Sequence, residues 1–181
     1  MANNMKPETI AMIISIMAMI VTTASFQFTK KSQLLLVQTI GSILYLVSYI
    51  FASGGMAIYL NILFIIRNFV STKTIGNRRA SNITAVILCF LIIMIYILFI
   101  IMSKISTMVA LWNALPVMGS IFGTIGLTRE NPKHIRLWKI GDSVPWLCFN
   151  LHLGIAAMGG VVGEVINLSS ITISLLRLKN K

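Results

Sequence analysis

Apolar residues run along this chain in blocks long enough to cross a bilayer, broken by short polar interruptions. A membrane helix needs about 20 residues, with roughly 17 to 25 the usual range. On that ruler the pattern predicts seven spans, near residues 9–28, 33–52, 56–70, 83–102, 107–127, 136–155 and 158–177. The third is short because Arg67 closes it, so it must stand nearly upright or let its ends snorkel. The expected fold is all-α: a polytopic membrane protein with seven transmembrane helices.

The polar interruptions alternate in charge. Lys30 and Lys31 follow span 1; Arg67, Lys73, Arg78 and Arg79 follow span 3; Arg129, Lys133, Arg136 and Lys139 follow span 5; Arg177, Lys179 and Lys181 follow span 7. Of all the basic residues only Lys6 and Lys104 fall on the other side. Cytoplasmic loops collect Lys and Arg, so the N-terminus is expected outside and the C-terminus in the cytoplasm. The start, "MANNMKPETIAMII", lacks the charged region and cleavage site of a removable signal.

Composition agrees with that class and narrows it. Of 181 residues 57% are hydrophobic and 10% charged, where a soluble domain carries about a quarter charged residues. The net charge of +11 sits in loops between spans and forms no basic, aromatic-lined face for a phosphate backbone, so no nucleic-acid partner is expected.

Spans 1–3 and 5–7 follow one plan. A helix flecked with polar residues leads through a basic loop to a helix opening with an Ile-Gly pair (Ile40-Gly41, Ile140-Gly141). Then come a glycine turn (Gly54-Gly55, Gly159-Gly160) and a helix bearing an intramembrane asparagine (Asn61, Asn167). Span 4, "ITAVILCFLIIMIYILFII", has no polar side chain between Thr84 and Ser103 beyond Cys89 and Tyr96. A helix apolar all round faces lipid, and one extra crossing gives the flanking units the same orientation. The expected organisation is 3+1+3: residues 1–75 as a first three-helix bundle, 76–104 as a linker helix with its basic loop, and 105–181 as a second bundle. Parallel repeats of this kind are a transporter arrangement, with the site near midplane between the halves.

This plan resembles the SWEET, PQ-loop and MtN3-like superfamily, which includes the PnuC-type vitamin transporters. Within it the chain most resembles the YgjV family of bacterial inner membrane proteins, through its size and the segments "QTIGSILYLVSYIFASGGMAIYLNILFIIRN" and "KIGDSVPWLCFNLHLGIAAMGGVVGEVINLSSITISL". The resemblance implies an inner-membrane location and a small-solute transport function. In sugar-transporting relatives paired asparagines on the third helix of each repeat contact the substrate, which maps onto Asn61 and Asn167. Those relatives carry hinge prolines in both repeats. Here Pro116 and Pro145 stand on spans 5 and 6, spans 1 and 2 have none, and the proline-glutamine loop motif is missing.

The polar residues inside the spans are the candidate site. Polar groups at membrane depth are costly and are a functional signal by default. Asn61 and Asn167 are expected to face each other at midplane, offering donors and acceptors to a neutral solute; the plainer role is an interhelical hydrogen bond. Tyr45 and Tyr49 on span 2, Trp112 and Asn113 on span 5 and Trp146 on span 6 could stack on or bond to a solute, or simply anchor and fill. Glu164 shares a helix face with Asn167, and antiparallel folding of spans 6 and 7 brings it to the depth of His152. A Glu164–His152 pair could couple protons or orient substrate, with Pro116 and Pro145 as gating hinges, or be purely structural. Asp142 reads as a capping or salt-bridging carboxylate beside Lys139. The series Gly119, Gly123 and Gly126 follows close-packing spacing.

No phosphate-cradling loop, metal cluster or nucleophile elbow is present in the sequence, so neither catalysis nor a cofactor is expected. Cys89 and Cys148 have no metal-like spacing and read as free, buried thiols. The expected partners are a small-molecule solute and membrane lipids, with a homo-oligomer possible. Set against a transporter or facilitator of a small polar, neutral or zwitterionic solute is a non-transporting receptor or assembly scaffold of the same fold.

Overall fold

A computed structural model describes residues 6–25, 28, 31–126, 128 and 132–179. Lys30, Arg129, Glu130 and Lys181, which the sequence places in loops or at the end, lie outside them. The described chain is helical, with no strand. Its helices are α1 (Pro7–Ser25), α2 (Lys31–Phe51), α3 (Met56–Lys73), α4 (Arg78–Ser103), α5 (Thr107–Gly126), α6 (Pro132–Leu153) and α7 (Met158–Lys179), with a 3-10 turn at Gly154–Ala157 between the last two.

Two boundaries differ from the sequence pattern. Arg67 does not end α3, which continues to Lys73. One basic side chain is no barrier to a helix whose backbone bonds are already satisfied. The break before α7 falls at Gly154, whose positive φ of 69° glycine adopts without steric cost, and Gly159-Gly160 stand in the first turn of α7. Among the described residues five segments are long and apolar enough to cross a membrane, one of them running from Leu137 to Ser169 through α6, the turn and α7. The third segment of the sequence pattern, α3, is not among them: Asn61, Arg67, Asn68 and Lys73 dilute its apolar content.

Packing gives the helices a closed order. α1 packs on α2, α2 on α3, α3 on α5, α5 on α6, α6 on α7 and α7 back on α1, while α4 lies against α3 and α5. α4 therefore stands outside a ring of six. Its outer face carries Val86, Phe90, Ile101 and Met102, all exposed, as lipid would require. The six pairings within the ring survive exchanging α1 with α5, α2 with α6 and α3 with α7, while those of α4 do not.

Small residues set the closest approaches. A methyl group at Gly41 would overlap the Thr22 hydroxyl of α1, and one at Gly141 would come within 3.0 Å of the Phe122 ring of α5. Each Ile-Gly pair thus seats the second helix of its triplet against the first. At Gly119 a methyl group would come within 2.6 Å of the Trp146 ring and 2.7 Å of the Asp142 carbonyl, so α5 and α6 touch nearly backbone to backbone, as the glycine spacing predicts. Of the two thiols, Cys89 is half-buried and Cys148 is exposed rather than buried; position 148 points away from the ring on α6.

Candidate functional site

Inside the ring the described residues line a cavity of about 120 Å³, with walls from α1, α2, α3, α6 and α7. Its lining residues recur at helical spacing: Gln38, Ser42, Tyr45 and Tyr49 on α2; Asn61, Phe64, Arg67 and Asn68 on α3; Lys139, Asp142, Trp146 and Asn150 on α6; Gly160, Gly163, Glu164 and Asn167 on α7. Intervals of three and four residues keep side chains on one helix face, so each helix turns a polar stripe inward and its apolar surface to lipid.

Aromatic rings pack along one wall of the cavity. Tyr45 stacks on Tyr49 with ring centres 6.1 Å apart. Tyr49 lies 6.0 Å from Trp146 and 6.4 Å from Phe149, and Phe64 reaches Trp146 across the ring at 5.8 Å. The Tyr49 hydroxyl donates to Asn150 Oδ1 at 2.7 Å, a buried bond joining α2 to α6. Removing that hydroxyl in Tyr49→Phe orphans the Asn150 oxygen. Interhelical bonds of this kind are worth about 0.6 kcal/mol on average and up to about 1.7 in membranes. The variant is expected to unfold roughly 2–5 °C lower in detergent, and a melt at matched detergent checks it.

Charge gathers at one part of the cavity. Lys139 Nζ donates to Asp142 Oδ2 on the next turn of α6. Glu164 accepts from Asn167 Nδ2 at 3.3 Å; Ser143 sits near the same carboxylate, but its buried hydroxyl closes no hydrogen bond. The Arg67 guanidinium lies 4.4 Å above the Phe64 ring and donates through Nη2 to Asn68 Oδ1 at 3.4 Å. Arg67 Nε and Asn68 Nδ2 are both shielded from solvent and have no acceptor among the described residues.

The far side of the ring, near the starts of α3 and α7, is bridged by two matched contacts. Ser15 Oγ on α1 accepts the Gly159 N–H at 3.0 Å, and Asn113 Oδ1 on α5 accepts the Met56 N–H at 2.8 Å. Each comes from the first helix of one triplet and takes an unpaired N–H at the start of the third helix of the other. Helix starts leave such donors without intrahelical partners.

Of the residues the sequence singled out, Asn61, Asn167, Tyr45, Tyr49, Trp146 and Glu164 line the cavity. Asn61 directs its amide Nδ2 to the Ala57 carbonyl of its own helix at 2.9 Å. Trp112, Asn113 and His152 do not line it. Asn113 holds the start of α3, with its Nδ2 on the Val109 carbonyl. Trp112 and His152 lie ring on ring, 4.1 Å apart and 3° from parallel. Glu164 and His152 are therefore not a pair: His152 is exposed on α6, and the neighbours of Glu164 are Asn167, Ser143, Lys139 and Asp142. Pro116 and Pro145 are buried inside α5 and α6, each removing one backbone N–H from its helix.

Arg67, Asn68, Lys139, Gln38, Ser42 and Asn150 line the cavity without having been singled out as candidates. The helical repeat would have found them. Stepping three or four residues on from Asn61, back from Tyr45 and either way from Trp146 lands on all of them.

No curated protein and no solved structure showed similarity to the chain. A family model does match, over residues 9–181: the chain belongs to the Imp-YgjV family of bacterial inner membrane proteins.

Proposed function

We propose that this protein is a transporter or facilitator of a small polar, neutral or zwitterionic solute, working by alternating access between two three-helix units. The units are α1–α3 and α5–α7, joined by α4 in a 3+1+3 plan like that of the SWEET and PQ-loop superfamily. The observation that carries the proposal is convergence. Polar and aromatic stripes from five helices meet in one cavity, where a scaffold would bury the same groups in mutual bonds with no space between them.

Three features support the two-unit plan: pairings that survive exchange of the triplets, the matched seats at Gly41 and Gly141, and the matched contacts of Ser15 and Asn113. With the N-terminus outside, as the basic loops favour, those two contacts bridge the outer side. The charged part of the cavity then lies toward the cytoplasm. The cavity volume bounds the solute. A void of about 150 Å³ accommodates benzene, so about 120 Å³ suits a solute of about six non-hydrogen atoms in this conformation.

One observation favours the competing receptor or scaffold role: several cavity groups already pair with one another, as in Tyr49–Asn150 and Lys139–Asp142. Uptake into proteoliposomes of sugars, amino acids, nucleosides and vitamins separates the two. For a transporter, one class of solute is taken up and also raises the melting temperature by mass action, and both effects fall in Asn61→Ala and Asn167→Ala. If no solute enters or protects while both variants lose intrinsic stability, the asparagines are structural and the scaffold role holds.

A further inference from the structure

We infer that the solute carries a carboxylate and that this group docks on Arg67 Nε and Asn68 Nδ2. The inference deepens the transport proposal and rests on it for the word solute. The site, however, can be tested as a binding site alone.

A guanidinium in a low-dielectric pocket needs an anion, because burying an uncompensated charge is expensive. Arg67 has none. The nearby carboxylate of Asp142 is taken by Lys139, and Phe64 and Asn68 orient the guanidinium without neutralising it. Arg67 and Asn68 each keep a shielded donor without an acceptor, and both residues line the cavity. Asn68 Oδ1 faces the guanidinium, which leaves its Nδ2 pointing elsewhere. Two donors with one positive charge match the two oxygens of a carboxylate; charge-assisted bonds of this type are about twice as strong as neutral ones.

A hydroxyl or amide could satisfy one donor but would bring no ion pair to the guanidinium, since the two carboxylates of the cavity are held by Lys139 and Asn167. A phosphate dianion fits poorly, since Asp142 and Glu164 share the cavity and repel a second negative charge. The substrate class is therefore a small monocarboxylate, zwitterionic amino acids included, rather than a neutral polyol.

The test compares propionate, lactate and alanine with their primary amides, and with inorganic phosphate, as protectants of the purified full chain in thermal melts. The acids should stabilise the wild type in a concentration-dependent way while the amides and phosphate do not. Arg67→Gln should raise the half-maximal concentration at least about tenfold, as losing a charged hydrogen bond predicts, with Arg67→Lys recovering part. Asn68→Asp places a carboxylate of nearly the same shape beside Arg67. It should melt higher than wild type without ligand and lose the protection by acids that the wild type shows, and that loss is the result a merely structural arginine would not give.

Equal protection by acids and amides, protection by phosphate alone, or no protection by any probe overturns the inference. Uptake assays with the same probes keep the two proposals apart. Acids that protect but never enter proteoliposomes leave the carboxylate site standing and defeat transport. Uptake of the amides, indifferent to Arg67→Gln, leaves transport standing and defeats the site.

Discussion

Gly159→Val is expected to be the most damaging single change in the ring. A side-chain carbon at 159 would overlap the Ser15 backbone of α1, and backbone cannot move aside as a flexible side chain can. Overpacking typically costs about 1–3 kcal/mol, and more where nothing yields. Here α7 must separate from α1 and give up the Ser15–Gly159 hydrogen bond as well. A loss above about 3 kcal/mol is expected, or a melting temperature roughly 10 °C lower at this chain length. Ser15→Ala removes the hydroxyl that accepts from Gly159 and donates to the Met12 carbonyl, adds no bulk, and should cost about 1 kcal/mol. Melts and size-exclusion profiles of the two proteins compare the effects directly. Equal losses would mean that the bond, not the fit of the two backbones, holds the seam.

Asp142→Ala is expected to be the second largest. It leaves Lys139 charged on the cavity wall near Arg67, without its hydrogen-bonded carboxylate and with Glu164 as the anion still near it. Exposed ion pairs contribute about 0.2–1 kcal/mol, and breaking a fully buried pair costs about 3–5. With side chains 35% and 11% exposed for Lys139 and Asp142, the pair falls between, and about 2 kcal/mol is expected. The double variant Lys139→Ala/Asp142→Ala should be more stable than Asp142→Ala alone, because it removes the orphaned charge with its partner. A melt of wild type, both single variants and the double variant at low and high salt completes the cycle. If the double variant proved the less stable, Lys139 would owe its place to packing rather than to its carboxylate.

How much of this was legible in the sequence follows from what a one-dimensional pattern records. Apolar blocks gave the helices, and the Ile-Gly pairs marked real helix seats, because a missing side chain has the same meaning wherever the helices cross. Asn61, Asn167, Tyr45, Tyr49, Trp146 and Glu164 stood out because each is a polar or aromatic residue among apolar neighbours, and all six line the cavity.

Charge was misread where two physical effects use the same residue. Arg67 and Lys139 count toward the basic loops, yet both side chains line the cavity, since a long charged stem near a helix end can turn inward as well as snorkel outward. Asn113 looked like a solute contact and is a helix cap across the ring. Nothing in its own segment shows that the start of α3, more than fifty positions earlier, lacks a hydrogen-bond acceptor. The Glu164–His152 pairing failed for a related reason: depth in the membrane can be counted along a helix, but the direction a side chain faces depends on the rotation of both helices.

The position of α4 has a mechanical consequence. It lies across the α3–α5 seam and is tied to both neighbours by short connections, from Thr74 to Asn77 and from Lys104 to Ser106. The α1–α7 seam has no such cover and is held by the tight crossing at Ser15 and Gly159. In the proposed two-unit plan the triplets would then be bound like the boards of a book, with α3, α4 and α5 as the spine and α1–α7 as the fore-edge. Any swing of one board against the other must part the fore-edge first, so a crosslink there would lock the volume shut, while one along the spine would leave it free to turn.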